Sequence, residues 1–511
     1  IFNIIETKVV NEFGNFTKER KTSPYEWYQF FKEKIQIQPI KETDVVPHKT
    51  LRIPNKLKQL GVFTIRDFKS KLSNTQYLTI NLLEAPILAI LLAFIVRYLP
   101  EDTSTYHFSE NLNIPVFFFM SVIVALFMGL TVSAEEIIKD RKILKREAFL
   151  NLSRSSYLVS KMLILFSISA FQTMTFILIG HLILEIEGMF LQFWLILFSV
   201  SCFANVLGLN VSSAFKSAIT VYILIPLLVI PQLILSGVVV NFDKLNPAIT
   251  TEDKVPLIGE IMASRWAFEA MAVTQFKQND FNRQFYPYDK VMAQSEFKTG
   301  YLFPRLESDL EDVHHGIKGD NSQKEALKYK LKTVSNELNK ELSKIGQDKF
   351  PHIDQLTIEG WSDKVYEESV QFIKNLKTYY NLRYKKANEE KQKLMRSFVS
   401  TEENQAEYEA RKQNHTNETI GLMVKNMGTE HRILEHNNEY IQKLYPIYND
   451  PEFPSNPLDF RAQFYQPTKH FIGHWFDTLV FNVAMIWAMS LFLIILLYFD
   501  GLKKLMAIFS R

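Results

Sequence analysis

The stretch EEIIKDRKILKREAFLNLSRSSYLVSK, Glu135 to Lys161, lies between two long apolar runs and carries seven Lys/Arg: Lys139, Arg141, Lys142, Lys145, Arg146, Arg154 and Lys161. Short loops rich in Lys and Arg are retained on the cytoplasmic side of a membrane, so this segment is expected there. Ile137, Leu144 and Ala148 fall on one helical face with Ile138 beside them. That spacing predicts an amphipathic helix with apolar residues toward the bilayer and charges toward a partner. The composition alone fits equally a solvated loop that only sets topology.

The order of residues narrows the choice. Asp140-Arg141, then Arg146-Glu147, then Ser155-Ser156-Tyr157 and Ser160-Lys161 resemble the coupling-helix region of type-2 ABC exporter permeases. The nearest match is the White/pleiotropic-drug-resistance (G) subfamily, with Asp140 in place of the usual Glu and Leu144 where an aromatic residue is common. The resemblance implies a bacterial ATP-driven exporter half in which this helix, 135–160, presses on an ABC ATPase domain. Asp140, Arg141, Arg146, Glu147 and Tyr157 would be the coupling residues.

Composition agrees with a membrane protein of uneven make-up. Of 511 residues 47% are hydrophobic and 22% charged, with apolar residues gathered in 78–240 and 471–499 and charged ones in 277–450. The net charge of +3 averages over these unlike parts, and no nucleic-acid partner is expected. Cys202, the single cysteine, sits in an apolar run, so no intrachain disulfide forms. The chain begins with Ile, from which upstream sequence is expected, and no cleavable signal peptide is recognisable.

Residues 1–75 read as a cytoplasmic linker, with prolines at 24, 39, 47 and 54. Val62, Phe63, Ile65 and Phe68 among charges predict an amphipathic elbow helix over 61–75 on the inner leaflet. Ser23-Pro24-Tyr25-Glu26-Trp27 resembles the segment after the ATPase domain in the same subfamily, which would place that domain just upstream.

Six spans follow, each long enough for a ~30 Å hydrocarbon core: about 78–99, 114–134, 162–184, 190–211, 218–240 and 475–499. The outer loop 100–113 holds Glu101, Asp102 and Glu110 and no Lys or Arg; Lys503, Lys504 and Arg511 follow the last span. Both termini are therefore expected in the cytoplasm, in a multi-pass bacterial inner-membrane protein. Glu84, a carboxylate in the first span, is a candidate functional charge. Gln172 and His181 in the third span are either path-lining or interhelical hydrogen-bonding groups. Pro226 and Pro231 should kink the fifth span.

At the outer end of that span Ser236-Gly237-Val238-Val239-Val240-Asn241 looks like the subfamily's Ser-Gly-Leu-Leu-Val-Asn, whose paired leucines plug the exit between two protomers. The resemblance thus assigns Val238 and Val239 to the plug, and counting from Asp140-Arg141 puts the stacking aromatic at Met128, beside Phe127. Ser264-Arg265-Trp266-Ala267-Phe268-Glu269-Ala270 resembles the aromatic-x-Phe-Glu-Ala motif of the loop that dips back toward the membrane. The substrate path would comprise Phe127, Met128, Gln172, Val238 and Val239.

The departure is the outer segment, 241–470, much longer than the subfamily's loop. Leu327, Leu331, Val334, Leu338, Leu342 and Ile345 step by fours and threes as in a coiled-coil seam. A second helical stretch from Ser362 past Arg396, about 38 residues or ~57 Å, has the stripe Val365, Phe372, Leu376, Tyr379 and Leu382. A weaker third is predicted around Ile420–Leu444. The expected outer domain is an antiparallel helical hairpin.

The chain has no G-x-x-x-x-G-K-[ST] phosphate loop and no ABC signature, so it should not hydrolyse ATP by itself. ATP and Mg belong to the expected ATPase domain, fused or separate, and no cofactor, metal site or catalytic residue is expected in this chain. The fold class is all-α: a polytopic membrane protein of six transmembrane helices plus an extracytoplasmic coiled-coil domain, in a dimer with a second copy. Two functions stay open: export of a lipid-like or amphipathic molecule through a dimer-interface cavity, and mechanotransmission to an extracytoplasmic partner through the coiled coil.

Overall fold

The computed structural model describes residues 2–36, 54–99, 105–147, 150, 152–317, 324–454 and 456–509. The expectations placed on Glu101, Asp102, Ala148 and the prolines at 39 and 47 lie outside them. Residues before Pro54 form a body of their own: α1 (Phe2–Ile5), the antiparallel pair β1 (Lys8–Val10) and β2 (Phe16–Arg20), and α2 (Pro24–Lys34). Ser23 and Glu26 close a capping box at the start of α2, and Pro24 occupies its first turn. The Ser-Pro-x-Glu spacing therefore has a local cause, because it satisfies amide groups that a helix start leaves open.

The second body starts with α3 (Lys56–Ser73), capped by Asn55, and α4 (Thr75–Val96), capped by Asn74. Then come α5 (Ile114–Ser133), α6 (Glu136–Glu147), α7 (Arg154–Leu184), α8 (Phe190–Ala214) and α9 (Ala218–Ile234). The helix expected over 135–160 for coupling is thus only the 12 residues of α6. Ser153 caps a new helix, α7, by accepting from the Ser156 amide. Span α5 is the centre of the bundle, with 15 of its 20 residues buried. Small residues let α8 approach it closely: a Cβ on Gly129 would stand 2.5 Å from the Ser201 carbonyl oxygen, and one on Gly208 would meet the Ser133 hydroxyl.

The fifth span is shorter than expected. Helix α9 stops at Ile234, and Val238 to Val240 lie in a bend beyond it. Gly237 takes φ +81°, and a Cβ there would run into the Phe242 ring, so the chain turns where the sequence reading continued the span.

Past this bend come α10 (Leu257–Glu260), α11 (Ala263–Gln278) and α12 (Asn282–Phe297). A π-helical turn (Lys298–Leu302) runs α12 straight into α13 (Phe303–Gly316), and α14 (Lys324–Ile345), α15 (Asp363–Phe398), α16 (Glu402–His415) and α17 (Glu418–Val424) follow. Both long arms of the expected hairpin are present as α14 and α15, but α13 brings its own stripe, Phe303, Leu306 and Leu310, into a common core with Val334, Leu338 and Leu342 of α14 and Phe372, Ile373 and Leu376 of α15. The unit is a bundle, not a two-helix seam. On α15 the stripe drifts to Tyr380, leaving Tyr379 and Leu382 exposed, because an undistorted helix repeats at 3.6 residues rather than 3.5.

The third predicted helix is a correction. After α17 the chain forms β3 (Ile433–His436) and β4 (Glu439–Gln442), paired antiparallel through the two-residue turn Asn437–Asn438, both at positive φ. Asn tolerates that conformation, and two such residues in succession suit a tight hairpin. A second hairpin, β5 (Thr468–Phe471) and β6 (His474–Asp477), takes up Trp475, which the sequence reading placed in the last span. That span is α18 (Thr478–Tyr498), capped by Asp477, and α19 (Gly501–Phe509) follows.

Helices α4, α5, α7, α8 and α18 are five that are long and apolar enough to cross a membrane, and α9 is a shorter apolar helix of 17 residues. The protein is an all-α polytopic membrane protein. One end of its bundle carries α3, α6 and α19; the far end carries the segment from α10 to β6.

Candidate functional site

At the basic end, α6 is fastened on three sides. Arg141 donates to the carbonyls of Ser213 and Phe215 at 3.2 and 2.8 Å, while the Ser212 hydroxyl accepts from the Ile137 and Ile138 amides at 3.1 and 3.2 Å. These bonds tie the start of α6 to the end of α8, each satisfying groups that a helix terminus leaves open. Toward α7, the Tyr157 hydroxyl donates to Asp140 at 3.1 Å. Lys161 reaches three carboxylates at once: Asp67 at 2.8 Å, Glu136 at 2.9 Å and Asp140 at 2.8 Å. Lys71 of α3 also pairs with Glu136. Lys161 and Glu136 are all but inaccessible, with side chains 4% and 6% exposed.

Beneath this ion network lies an apolar cluster of Phe63, Val132, Ile137, Tyr157, Leu158 and Leu165, with Leu144 packed on it. The apolar face of α6 therefore turns into protein, not toward the bilayer as its amphipathy suggested. The four apolar residues read together for the elbow helix divide in α3: Phe63 is buried against Tyr157, ring centroids 5.8 Å apart, while Val62, Ile65 and Phe68 are exposed on its other face.

Farther along α6, Glu147 pairs with Arg66 of α3 at 2.9 Å, half in solvent, and Arg146 is exposed. Arg154 pairs with Asp500 at 2.6 Å, joining α7 to the turn before α19; that hydrogen bond holds the Asp500 carboxyl below the usual carboxylate range against the opposing effect of burial. Between α3, α6, α7 and the Asp500–Lys503 turn opens a groove of about 420 Å³ whose walls include Leu144, Leu152, Arg154 and Lys503.

The residues assigned to the path separate. Phe127 is exposed on α5, but Met128 is buried in the core of the bundle. Gln172 is also buried, donating to the Asn81 carbonyl of α4 at 3.0 Å, so it serves as an interhelical bond. Glu84 is half-buried on α4. His181 is half-buried, edge-on to Phe190 and Phe193. Val239 is exposed, whereas Val238 packs against the core. Along α9 the exposed residues Ile219, Ile223, Leu227, Ile230 and Ile234 make one apolar stripe.

Sequence reasoning missed a second ion cluster at the far end. Glu269, fully buried, accepts from Lys469 at 2.7 Å, from the Tyr465 amide at 2.9 Å and from Asn482 of α18 at 2.9 Å. Arg265 lies 3.5 Å from Glu269 and 3.2 Å from Glu260, its guanidinium stacked 3.9 Å over the Trp266 ring. Thus the Arg-Trp-Ala-Phe-Glu-Ala motif locks α11 to β5 and α18. The available signal was an i, i+4 Arg/Glu pair inside an otherwise apolar helix.

Residues 58–276, from the start of α3 to the end of α11, match the family profile described as ABC-2 type transporter. Two curated proteins, each described as "ABC transporter G family member STR", are similar to this chain. The one from Medicago truncatula is 25% identical over 224 residues, 44% of this chain and 26% of its own length. That from Petunia hybrida is 27% identical over 210 residues, 39% of this chain and 24% of its own. The chain spans about a quarter of the length of these relatives.

Proposed function

We propose, from the premise that residues 58–276 are the membrane domain of a type-2 ABC permease of the G subfamily, that this chain moves a lipid-like or amphipathic substrate outward at the expense of ATP. The single observation that carries the reading is the fastening of α6. A short basic helix tied by buried ions to α3 and α7, and by terminal hydrogen bonds to α8, cannot absorb a push locally. Whatever displaces it displaces three helices together. An ABC ATPase domain, fused or separate and carrying ATP and Mg, is the partner that would push, against exposed Arg146 and the groove beside Leu144. The basic end is then cytoplasmic, with both termini on that side, in the inner membrane of a bacterium.

In this reading two copies face each other through α5 and α9. The stripe from Ile219 to Ile234, with Phe127 beside it, lines the cavity, and Val239 stands at its far end as the plug. Met128 supports that wall from within α5, whereas Gln172 is bonded to α4 and takes no part in it.

One observation favours a second reading, transmission of force to an extracytoplasmic partner. Ile420, Val424, Ile447 and Tyr448 of the far-end segment belong to the same apolar core as α5 and α8, and Tyr445 packs on both this core and that of the helical bundle, a route by which movement of the spans would reach the bundle. Reconstituting the protein with its ATPase and measuring hydrolysis against a panel of amphiphiles separates the two. Export predicts stimulation by the transported class; hydrolysis indifferent to every amphiphile, with ATP-dependent change in hydrogen exchange of α14 and α15, supports transmission.

A further inference from the structure

Where α15 ends and α16 begins, four aromatic side chains wall a cavity of about 210 Å³. Phe281 and Phe285, one turn apart at the start of α12, are buried; Phe398 closes α15, and Tyr408 stands on α16. Their centroids lie 5.2 Å apart for Phe281–Phe285, 5.1 Å for Phe281–Tyr408 and 6.2 Å for Phe285–Phe398, with interplanar angles of 45°, 60° and 70°. Rings at these distances and angles are packed edge to face, and together they form one aromatic wall of the cavity. Aromatic faces attract a cation without needing a counter-charge, and a wall of them favours a bulky, weakly hydrated ammonium.

Two ionised groups stand at the rim. Glu407 and Arg411 flank Tyr408 on the same face of α16 and line the cavity. Among the described residues no ion pair or hydrogen bond engages either side chain. The other nearby cation, Lys391, lies 5.9 Å from the Phe285 ring centre but is already neutralised by Asp289 at 2.5 Å. A guanidinium one turn from a carboxylate suits a ligand that carries both signs of charge, and its planar fork suits phosphate.

The end of α16 is tied to the loops between the spans. Near the foot of α16, Asn414 donates to Glu187 at 2.9 Å, and Asn417 donates to the Phe108 and Asn111 carbonyls at 2.8 and 2.9 Å, just before α5 begins. Tyr408 lies about 10 Å along the helix from Asn414 and His415.

We propose that this aromatic-walled cavity binds an alkylammonium group carried on a phosphate, the shared chemistry of a zwitterionic phospholipid head group and of free phosphocholine, with the ammonium against the aromatic wall beside Glu407 and the phosphate on Arg411. The site does not depend on whether the spans pass a substrate or transmit force.

The test is calorimetric titration of the full chain in a maltoside detergent with phosphocholine, with choline and with inorganic phosphate. Phosphocholine binds saturably and more tightly than choline. Tyr408→Ala weakens it by roughly tenfold or more while Tyr408→Phe retains it, as removal of a ring face requires. Arg411→Ala lowers phosphocholine to the level of choline. Tyr408 and Arg411 are partly exposed, and should Tyr408→Ala disturb helicity, Arg411→Ala carries the test alone. In nanodiscs of phosphatidylcholine a resident head group abolishes the phosphocholine titration, which persists in phosphatidylglycerol discs; a free ligand titrates in both. Absence of saturable phosphocholine binding in detergent, or binding unchanged in both Tyr408→Ala and Arg411→Ala, overturns the proposal.

Discussion

Lys161 is the cation on which the basic end depends. It sits at the start of an apolar helix with three carboxylates within 3 Å. Replacing it by Met removes the most buried cation of the network and leaves three acids with only Lys71 to offset them; loss of one partner of a buried pair typically costs about 3–5 kcal/mol. Lys161→Met should therefore lower thermal stability in detergent markedly, and Glu136→Gln in the same chain should recover part of the loss. Equal stabilities for wild type and Lys161→Met would mean that the network carries no net interaction. Glu147 is a different case. Its pair with Arg66 is half-exposed, worth no more than about 1 kcal/mol, so Glu147→Arg and Arg146→Glu should fold normally yet reduce the stimulation of ATPase by substrate. Wild-type stimulation in both would remove these residues from the proposed coupling surface. Asp140, Arg141 and Tyr157 were legible in the sequence because they recur in a recognisable order. Asp67, Lys71 and Glu136 were not, since the partners that join them into the network lie on other helices, 25 to 94 residues away in the chain, and nothing local distinguishes a lysine that enters an ion cluster from one that meets solvent.

Elements were legible where periodicity or apolar length was strong, and illegible where backbone conformation decided. The apolar runs gave α4, α5, α7, α8 and α18 to within a few residues, Ser153 aside, whose capping role shortens the coupling helix and lengthens α7. Gly237 and the Asn437–Asn438 turn are positive-φ positions, and each ended or replaced a helix that hydrophobic spacing had extended. Helices α12 and α13 were missed because Pro287 and the π-helical turn interrupt the period. The contact between α5 and α8 yields a prediction at this scale. Gly129→Val must displace the Ser201 carbonyl or the whole of α8, and overpacking of that kind costs about 1–3 kcal/mol. Thermal unfolding should show the loss, while the same substitution at Gly300, where a Cβ would meet nothing within 4 Å, should cost far less. Equal losses at both sites would show that α5 and α8 are not closely packed.

At the scale of the whole molecule a basic end, proposed to receive the push, and a far-end bundle flank a central span that is buried along most of its length; the bundle has its own core and meets that of the spans at Tyr445. In the proposed dimer the exposed apolar stripe of α9 faces the second copy, and Val239 is the exposed residue at its far end. The most direct measurement is ATP-driven movement of a fluorescent amphiphile in vesicles by the protein with its ATPase, in a Cys202→Ala background carrying Val239→Cys, before and after oxidation. The account predicts a crosslinked dimer in the nucleotide-free state, transport that stops on oxidation and returns with reductant, and less crosslinking from Ile234→Cys, about one turn deeper. Transport that proceeds unchanged while the dimer is crosslinked through residue 239, or normal transport with no crosslink at 239 under any nucleotide condition, would contradict it.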